Sequence, residues 1–226
     1  MTTHARSLWT SASLCALALL QWSCAKPEAE PVLPQDITDA NVLYSQNCAG
    51  CHGPNGKNGA AQSLADPMYI QLIPRDKLRD VIEKGVPGTS MPAFAYEQGG
   101  PLHKKQIDAL MDGLERTRER IPDAAGLPSY EADLTRADMH AGQQAYEAAC
   151  AGCHAAGKSG GLITNRSYLA LTSDQSLRTS IIVGKPEIGM PDWRTVATGH
   201  NLTNDEITNI VAWLSTLRAK TQENTK

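Results

Sequence analysis

Apolar positions along the chain fall into two stretches with the same helical beat. Ile107, Leu110, Met111 and Leu114 recur at helical spacing and predict an amphipathic helix over about Lys104 to Arg118. Leu202, Ile207, Ile210, Val211, Trp213, Leu214 and Leu217 draw a second stripe, which Thr203-Asn204-Asp205-Glu206 opens as an N-terminal cap. A shorter helical face lies upstream of each. Gly142 and Tyr146 stand eight and four residues before Cys150, and Ala40 and Tyr44 hold the same places before Cys48. Ile121 to Tyr130 breaks the periodicity with two prolines and a glycine and reads as part of a linker. The pattern is that of two similar units, each with a helix near its start and another at its end.

Each unit carries the same five-residue string, Cys48-Ala49-Gly50-Cys51-His52 and Cys150-Ala151-Gly152-Cys153-His154. On a helix this spacing puts two thiols about one turn apart with an imidazole beside them, so that two thioethers hold a porphyrin while the His meets its iron. A redox dithiol needs a βαβ context and no adjoining His, and a zinc site of four cysteines leaves both histidines idle. The doubled string therefore predicts two covalently attached haem c groups, with His52 and His154 as iron ligands.

A second matched feature comes after each motif. Gly85-Val86-Pro87-Gly88-Thr89-Ser90-Met91-Pro92-Ala93-Phe94 and Val183-Gly184-Lys185-Pro186-Glu187-Ile188-Gly189-Met190-Pro191-Asp192-Trp193 both end in Met-Pro with an aromatic two residues on. The proline biases the preceding Met toward extended backbone, so its thioether can point out of a loop. The His-to-Met separations are 39 and 36 residues. Met91 and Met190 are thus expected to be the distal iron ligands, whereas Met68, Met111 and Met139 are expected to fill cores. His103, His140 and His200 do not recur at matched positions and are expected at the surface or at helix ends. Phe94 and Trp193 are expected to pack near the haems and exclude water.

On these motifs the chain resembles two class I cytochrome c domains fused in tandem, over about Asp39 to Leu217. The resemblance implies a small helical fold for each, with a first helix running into the Cys-x-x-Cys-His and a last helix crossing it. It also implies that a small residue on the first helix admits an aromatic of the last, roles that Gly142 and Trp213 fit. The first unit departs from this, with Ala40 in the glycine's place and Gly113 aligned with Trp213, so its helix pair is expected to be the less firmly packed. The expected domains are 36–120 and 133–218, joined by a linker at 121–132, with a polar tail at 219–226. That linker is short enough to imply direct contact between the domains.

The N-terminus reads as an export signal. Residues 1–7 carry Arg6 and no acid, and Leu8 to Leu20 are mostly apolar but too short and too diluted with Ser and Thr to span a bilayer readily. Residues 1–24 are assigned to this signal and 25–35 to a proline-rich tether. Leu20-Gln21-Trp22-Ser23-Cys24 resembles a degenerate lipoprotein box, and Ser23-Cys24-Ala25 also suits a soluble-export peptidase. Of six cysteines, four belong to the motifs and Cys15 lies inside the signal, so acylation would give Cys24 a role.

Charge is nearly balanced, with 21 Lys and Arg against 24 Asp and Glu, and nothing suggests nucleic acid. The mixed-sign runs Arg75 to Asp80 and Glu115 to Arg120 read as solvated helix faces. Arg75 and Arg194 are the cations considered for haem propionates. A His/Met pair fills both axial positions of an iron, which suits repeated one-electron transfer and leaves no place for a substrate. The expected function is that of a diheme electron carrier, not an enzyme, that is periplasmic or attached to the membrane on its exported side, either through lipid at Cys24 or through a partner. The resemblance implies an oxidase, a quinol-oxidising complex or a dehydrogenase as redox partner. The rival is a diheme cytochrome c peroxidase, in which one haem stays open to hydrogen peroxide.

Overall fold

In the computed structural model, Asp39 and Asp138 begin the two units in the same way. The Asp39 carboxylate accepts from the N–H groups of Asn41 and Val42 at 2.8 and 3.0 Å and starts α1 (Ala40–Asn47). Further along the chain, Asp138 accepts from His140 and Ala141 at 2.9 and 3.0 Å and starts the corresponding, longer helix. The structure describes residues 32–118, 126–196 and 199–219. The expected signal, most of the tether, the first part of the linker and most of the polar tail lie outside them.

The first unit continues with α2 (Ala49–His52), α3 (Pro67–Leu72), α4 (Arg75–Lys84) and α5 (Lys104–Arg118). The second repeats the order with α6 (Met139–Ala149), α7 (Ala151–His154), α8 (Arg166–Ala170), α9 (Asp174–Val183) and α10 (Asn204–Ala219). Among the described residues extended pairing is limited to isolated bridges, Ala95 with Leu102 and Lys185 with Met190. The fold is all-α, and α5 spans the residues that its apolar spacing predicts. Thr203 and Glu206 form the expected capping box: Glu206 N–H donates to Thr203 Oγ1 at 3.2 Å and Thr203 N–H to Glu206 Oε2 at 2.8 Å.

From the third helix of each unit to the Met-Pro loop the copies run in step. Asp66 caps α3 through Met68 and Tyr69 N–H at 2.8 and 3.1 Å, and Asn165 caps α8 through Ser167 and Tyr168 N–H at 2.9 and 3.3 Å. Ile70 and Leu169, at the same register, are both fully buried. The three-residue difference in His-to-Met spacing therefore falls between His52 and Asp66, in a longer first-unit loop.

The first and last helices of each unit cross. A Cβ built on Gly142 would lie 2.0 Å from the carbonyl oxygen of Asn209, so this glycine lets the backbones of α6 and α10 touch. Trp213 lies one turn beyond that point with its ring on Tyr146, centroids 4.8 Å apart. The glycine thus admits helix backbone, and the aromatic finds its partner on the next turn of α6. In the first unit the small residues are Ala40 and Gly113: a Cβ on Gly113 would meet the Ala40 Cβ at 3.0 Å. Contact between α1 and α5 is sparser than between α6 and α10, as the glycine inside α5 leads one to expect.

Each unit has its own core. Leu43, Ile73, Leu78, Leu102, Ile107, Leu110 and Met111 build the first. Leu169, Leu177, Ile182, Leu202, Ile207, Ile210 and Leu214 belong to the second. Leu72 of the first unit is buried within the second core, Met68 and Tyr69 pack against it, and Tyr130 touches both. The later part of the expected linker is therefore packed. Gln175 donates to the Tyr130 carbonyl at 2.8 Å, and the buried Arg178 donates to the Ser129 carbonyl at 2.9 Å, to Thr208 Oγ1 at 3.0 Å and to Asn204. Met111 and Met68 fill core space as expected, but Met139 is 51% exposed because it opens α6 on its solvent side.

Candidate haem-binding sites

In each motif the first Cys stands at the junction of two helices, and the four residues after it form the second, α2 or α7. The N–H of Cys48 closes α1 on the Tyr44 carbonyl at 2.8 Å, and the N–H of His52 returns to the Cys48 carbonyl at 3.0 Å. Cys150 and His154 repeat these bonds at 2.8 and 2.9 Å. The tyrosine of each first helix also ties down the far end of the motif. The Tyr44 hydroxyl donates to the Gly53 carbonyl at 2.9 Å, and the Tyr146 hydroxyl to the His154 carbonyl at 3.3 Å. In the sequence these tyrosines stand out only as members of a helical face.

The four thiols are free of disulfides, with Cys48 and Cys150 half-buried and Cys51 and Cys153 exposed. Burial, reinforced by the neighbouring thiol, pushes Cys48 and Cys150 up to about 11. A redox dithiol needs the opposite, a thiol lowered toward neutrality. The cysteine pairs lie in separate units, and among the described residues no three His, Cys, Asp or Glu side chains gather as a metal site. A zinc centre of four cysteines therefore has no geometry to support it.

Each histidine is oriented by a backbone carbonyl. His52 Nδ1 lies 2.7 Å from the Gln62 oxygen, and His154 Nδ1 lies 3.0 Å from the Gly161 oxygen. A proton on Nδ1 leaves Nε2 with a free lone pair, the donor that an iron requires. Burial holds His52 below the usual imidazole range, against the smaller upward pull of its carbonyl partner, which favours this neutral form. Two free thiols, an imidazole oriented through Nδ1 and a thioether loop thus suit a covalent haem in each unit.

The methionine loops are shaped by glycines at matching positions. Gly85 and Gly184 end α4 and α9 with φ of 69° and 71°. A Cβ on Gly85 would lie 2.6 Å from the Met91 carbonyl oxygen, and one on Gly184 would lie 2.7 Å from Pro191. Only glycine combines that backbone angle with so close a passage of the Met-Pro segment. Val86 N–H donates to the Met91 carbonyl at 3.0 Å, and Lys185 and Met190 exchange two backbone bonds at 2.9 and 3.1 Å. Both methionines are half-buried. Phe94 and Trp193, a few residues beyond them, pack against the first and second cores.

The other candidates lie elsewhere. His103 stacks on Tyr96 with ring centroids 4.6 Å apart, His200 meets Glu206 at 3.0 Å, and His140 is exposed on α6. Arg194 is held by Asp192 at 2.8 Å, and Arg75 lies 3.7 Å from Asp112, so acids already engage both cations considered for propionates. In the run from Arg75 to Asp80, Arg75, Asp76 and Asp80 are exposed as expected, but the half-buried Arg79 ties α4 to α5 through Asp108 at 2.8 Å and Lys77 pairs with Glu131 at 2.8 Å.

The longer loop after His52 meets the methionine loop of the second unit across a cleft of about 220 Å³, whose lining includes Lys57, Asn58, Ser63, Asp66, Pro186 and Glu187. Burial pushes the Asp66 carboxyl up against the pull of its capping bonds, and Glu187 and Asp192 add to the rise. The His side of one site thus faces the Met side of the other.

Comparison with known proteins agrees with this doubled arrangement. The family described as cytochrome c oxidase, cbb3-type, subunit III matches twice, at residues 35–112 and 137–214. A curated relative, the cbb3-type cytochrome c oxidase subunit CcoP of Azospirillum sp. (strain B510), is 26% identical over 122 residues, which cover 49% of this chain and 36% of the relative. The chain thus matches only about a third of that relative's length. A chain of the Kuenenia stuttgartiensis reducing HAO-like protein complex aligns over 83% of this chain and 97% of its own, at 17% identity and a TM-score of 0.46, a likeness too slight to bear on function. With its two tandem class I cytochrome c domains, each carrying a covalent haem c, the chain belongs to the cbb3-type cytochrome c oxidase subunit III family.

Proposed function

We propose that the chain is a two-haem electron relay in which Cys48, Cys51, Cys150 and Cys153 form the thioethers, His52 and Met91 ligate one iron, and His154 and Met190 the other. The observation that carries this reading is the repetition of one ligand frame. In both units an imidazole is turned by a carbonyl on Nδ1, and a Met-Pro loop returns past a left-handed glycine at the same register. A haem with nitrogen and thioether ligands takes up and releases one electron at a raised potential, because the soft sulfur favours the ferrous state. The protein's contribution is to orient the imidazoles, hold the loops and keep water from the irons.

A respiratory oxidase is the partner class that the family and the CcoP relative support. Quinol-oxidising complexes and dehydrogenases fit the same chemistry. The exported side of the membrane suits the N-terminal signal, with Cys24 as the proposed lipid attachment. Fatty-acid labelling of the wild type and not of Cys24→Ser tests that attachment.

The ligand assignment is tested by Met91→Ala and Met190→Ala. Each is expected to raise the high-spin population of one haem and lower its potential, with the other haem unchanged. An unaltered spectrum and potential in either variant removes that methionine from the assignment. His52→Ala and His154→Ala are each expected to leave one haem fewer attached by mass. Wild-type protein with one high-spin haem and rapid peroxide turnover would instead support the peroxidase reading.

A further inference from the structure

The two copies bury the same helix differently. In α3, Leu72 is 6% exposed because the second unit covers it, and Tyr69 packs into both cores. At the same register of the second unit stand Tyr168 of α8, 43% exposed, and Leu171, which caps α8 and is 71% exposed, with Leu162 of the preceding loop also open. Side-chain chemistry does not account for the contrast, since Leu and Tyr occupy both registers. What differs is that α3 has a haem domain docked on it and α8 has none.

The electrostatics of the face have shifted too. Asp66, which lines the internal cleft with Glu187 and feels the charges of Glu187 and Asp192, is replaced by Asn165, and Pro67 by the exposed Arg166. Lys158 stands exposed in the loop after His154, as Lys57, which lines the internal cleft, stands in the loop after His52. An acid has been lost and a cation gained where an incoming methionine loop would sit. The chain's own first unit is a poor occupant, because its loop has Gly88 and Ala93 where the second has Glu187 and Asp192.

We propose that Tyr168, Leu171 and Leu162, flanked by Arg166 and Lys158, form the docking face for the haem c domain of a separate protein whose methionine-side loop is acidic. The partner would dock as the second unit docks on the first, with its Met side toward the loop after His154. The partner would then stand on the second unit in the same head-to-tail arrangement in which the second unit stands on the first. The inference rests on the relay reading and adds to it an entry or exit point.

The test uses the full diheme chain and two soluble mono-haem c-type cytochromes, one of net negative and one of net positive charge, in stopped-flow electron exchange at low ionic strength. The acidic probe is expected to react faster with the wild type. Leu171→Ser should slow that reaction about tenfold, the loss expected for one buried leucine, and Arg166→Glu should abolish the preference for the acidic probe. Met139→Ser, at another exposed apolar position, on α6, should change neither rate. Unchanged haem spectra and potentials in Leu171→Ser separate lost docking from misfolding. A Leu171→Ser rate equal to wild type, or an equal fall in Met139→Ser, overturns the proposal. So does a wild-type dimer in sedimentation velocity that Leu171→Ser dissociates, which would assign the face to a second copy. A wild type that dithionite reduces at both haems but that exchanges with neither probe defeats the relay reading itself.

Discussion

The crossing of α6 with α10 and the crossing of α1 with α5 occupy the same place in the fold but solve the contact differently. In the second unit a glycine removes every side-chain atom from the crossing point and lets α6 rest on the Asn209 carbonyl. In the first, Ala40 meets Gly113, so the small residue has moved to the last helix and one methyl group remains between the backbones. The glycine crossing is tight and intolerant, the alanine crossing looser and adjustable. Both first helices still deliver a Cys-x-x-Cys-His to the same turn. The haem frame therefore needs a crossing, and the packing that provides it is free to vary.

The most severe way to break this contrast is Gly142→Ala. Its added methyl would have to displace main-chain atoms of α10, and a cost of about 3 kcal/mol or more is expected, at or above the usual range for overpacking. Chemical denaturation of the haem-loaded protein, monitored at the Trp213 side of the second unit, measures it. Next in size is the inter-unit contact. Leu72→Ala is expected to cost about 2–4 kcal/mol, as for other leucines truncated in a core, whereas Leu171→Ala at the same register should change stability by no more than about 0.5 kcal/mol. Equal costs for the two would mean that the covered and uncovered faces do not differ in solution.

Gly113→Ala probes the looser crossing. Alanine gains about 1 kcal/mol of helix propensity, while the new methyl must push the Ala40 Cβ back by a few tenths of an ångström from its 3.0 Å approach. Ala40 lies in the first turn of α1, where a helix end can yield. The net change is expected to lie within about 1 kcal/mol of zero; measured in an Ala40→Gly background, where no methyl opposes it, Gly113→Ala should instead be stabilising relative to that background. A loss as large as that of Gly142→Ala would show the two crossings to be equally tight.

Much of the fold and of the haem frame is legible in the sequence because it is local. Cys-x-x-Cys-His, Met-Pro and the apolar stripes of α5 and α10 carry their chemistry and periodicity within a few residues. Thr203 and Glu206 announce a cap in the same way. The unequal burial of Leu72 and Leu171 is not legible, since Tyr-x-x-Leu stands at both registers and only the docked neighbour tells them apart. Nor is the partner of Gly142, a backbone carbonyl that no side-chain pattern encodes. Met139 shows the reverse error: an apolar residue in a helix is expected in the core, but its place as the first residue of α6 turns it outward.

The smallest predicted difference concerns the starts of α5 and α10. Gln106 and Glu206 hold the same capping register, and each accepts the N–H three residues before it, at 3.1 Å from His103 and 2.8 Å from Thr203. Only the second can titrate. Partial burial favours the neutral acid, but hydrogen bonds from Thr203 N–H, His200 and the Thr203 hydroxyl outweigh it and hold Glu206 below the usual glutamate range. A carboxyl lowered by folding stabilises the native state at pH above its unfolded value, about 4.3, and that contribution disappears as pH falls through the lowered native value. The second unit should therefore carry an acid-side slope in stability that the Gln106 cap does not add to the first. Glu206→Gln, which copies the first unit's residue, should flatten that slope while leaving α10 capped. Denaturation midpoints measured from pH 6 downward, compared between the variant and wild type, decide it: parallel curves would mean that the Glu206 cap contributes nothing that depends on its charge.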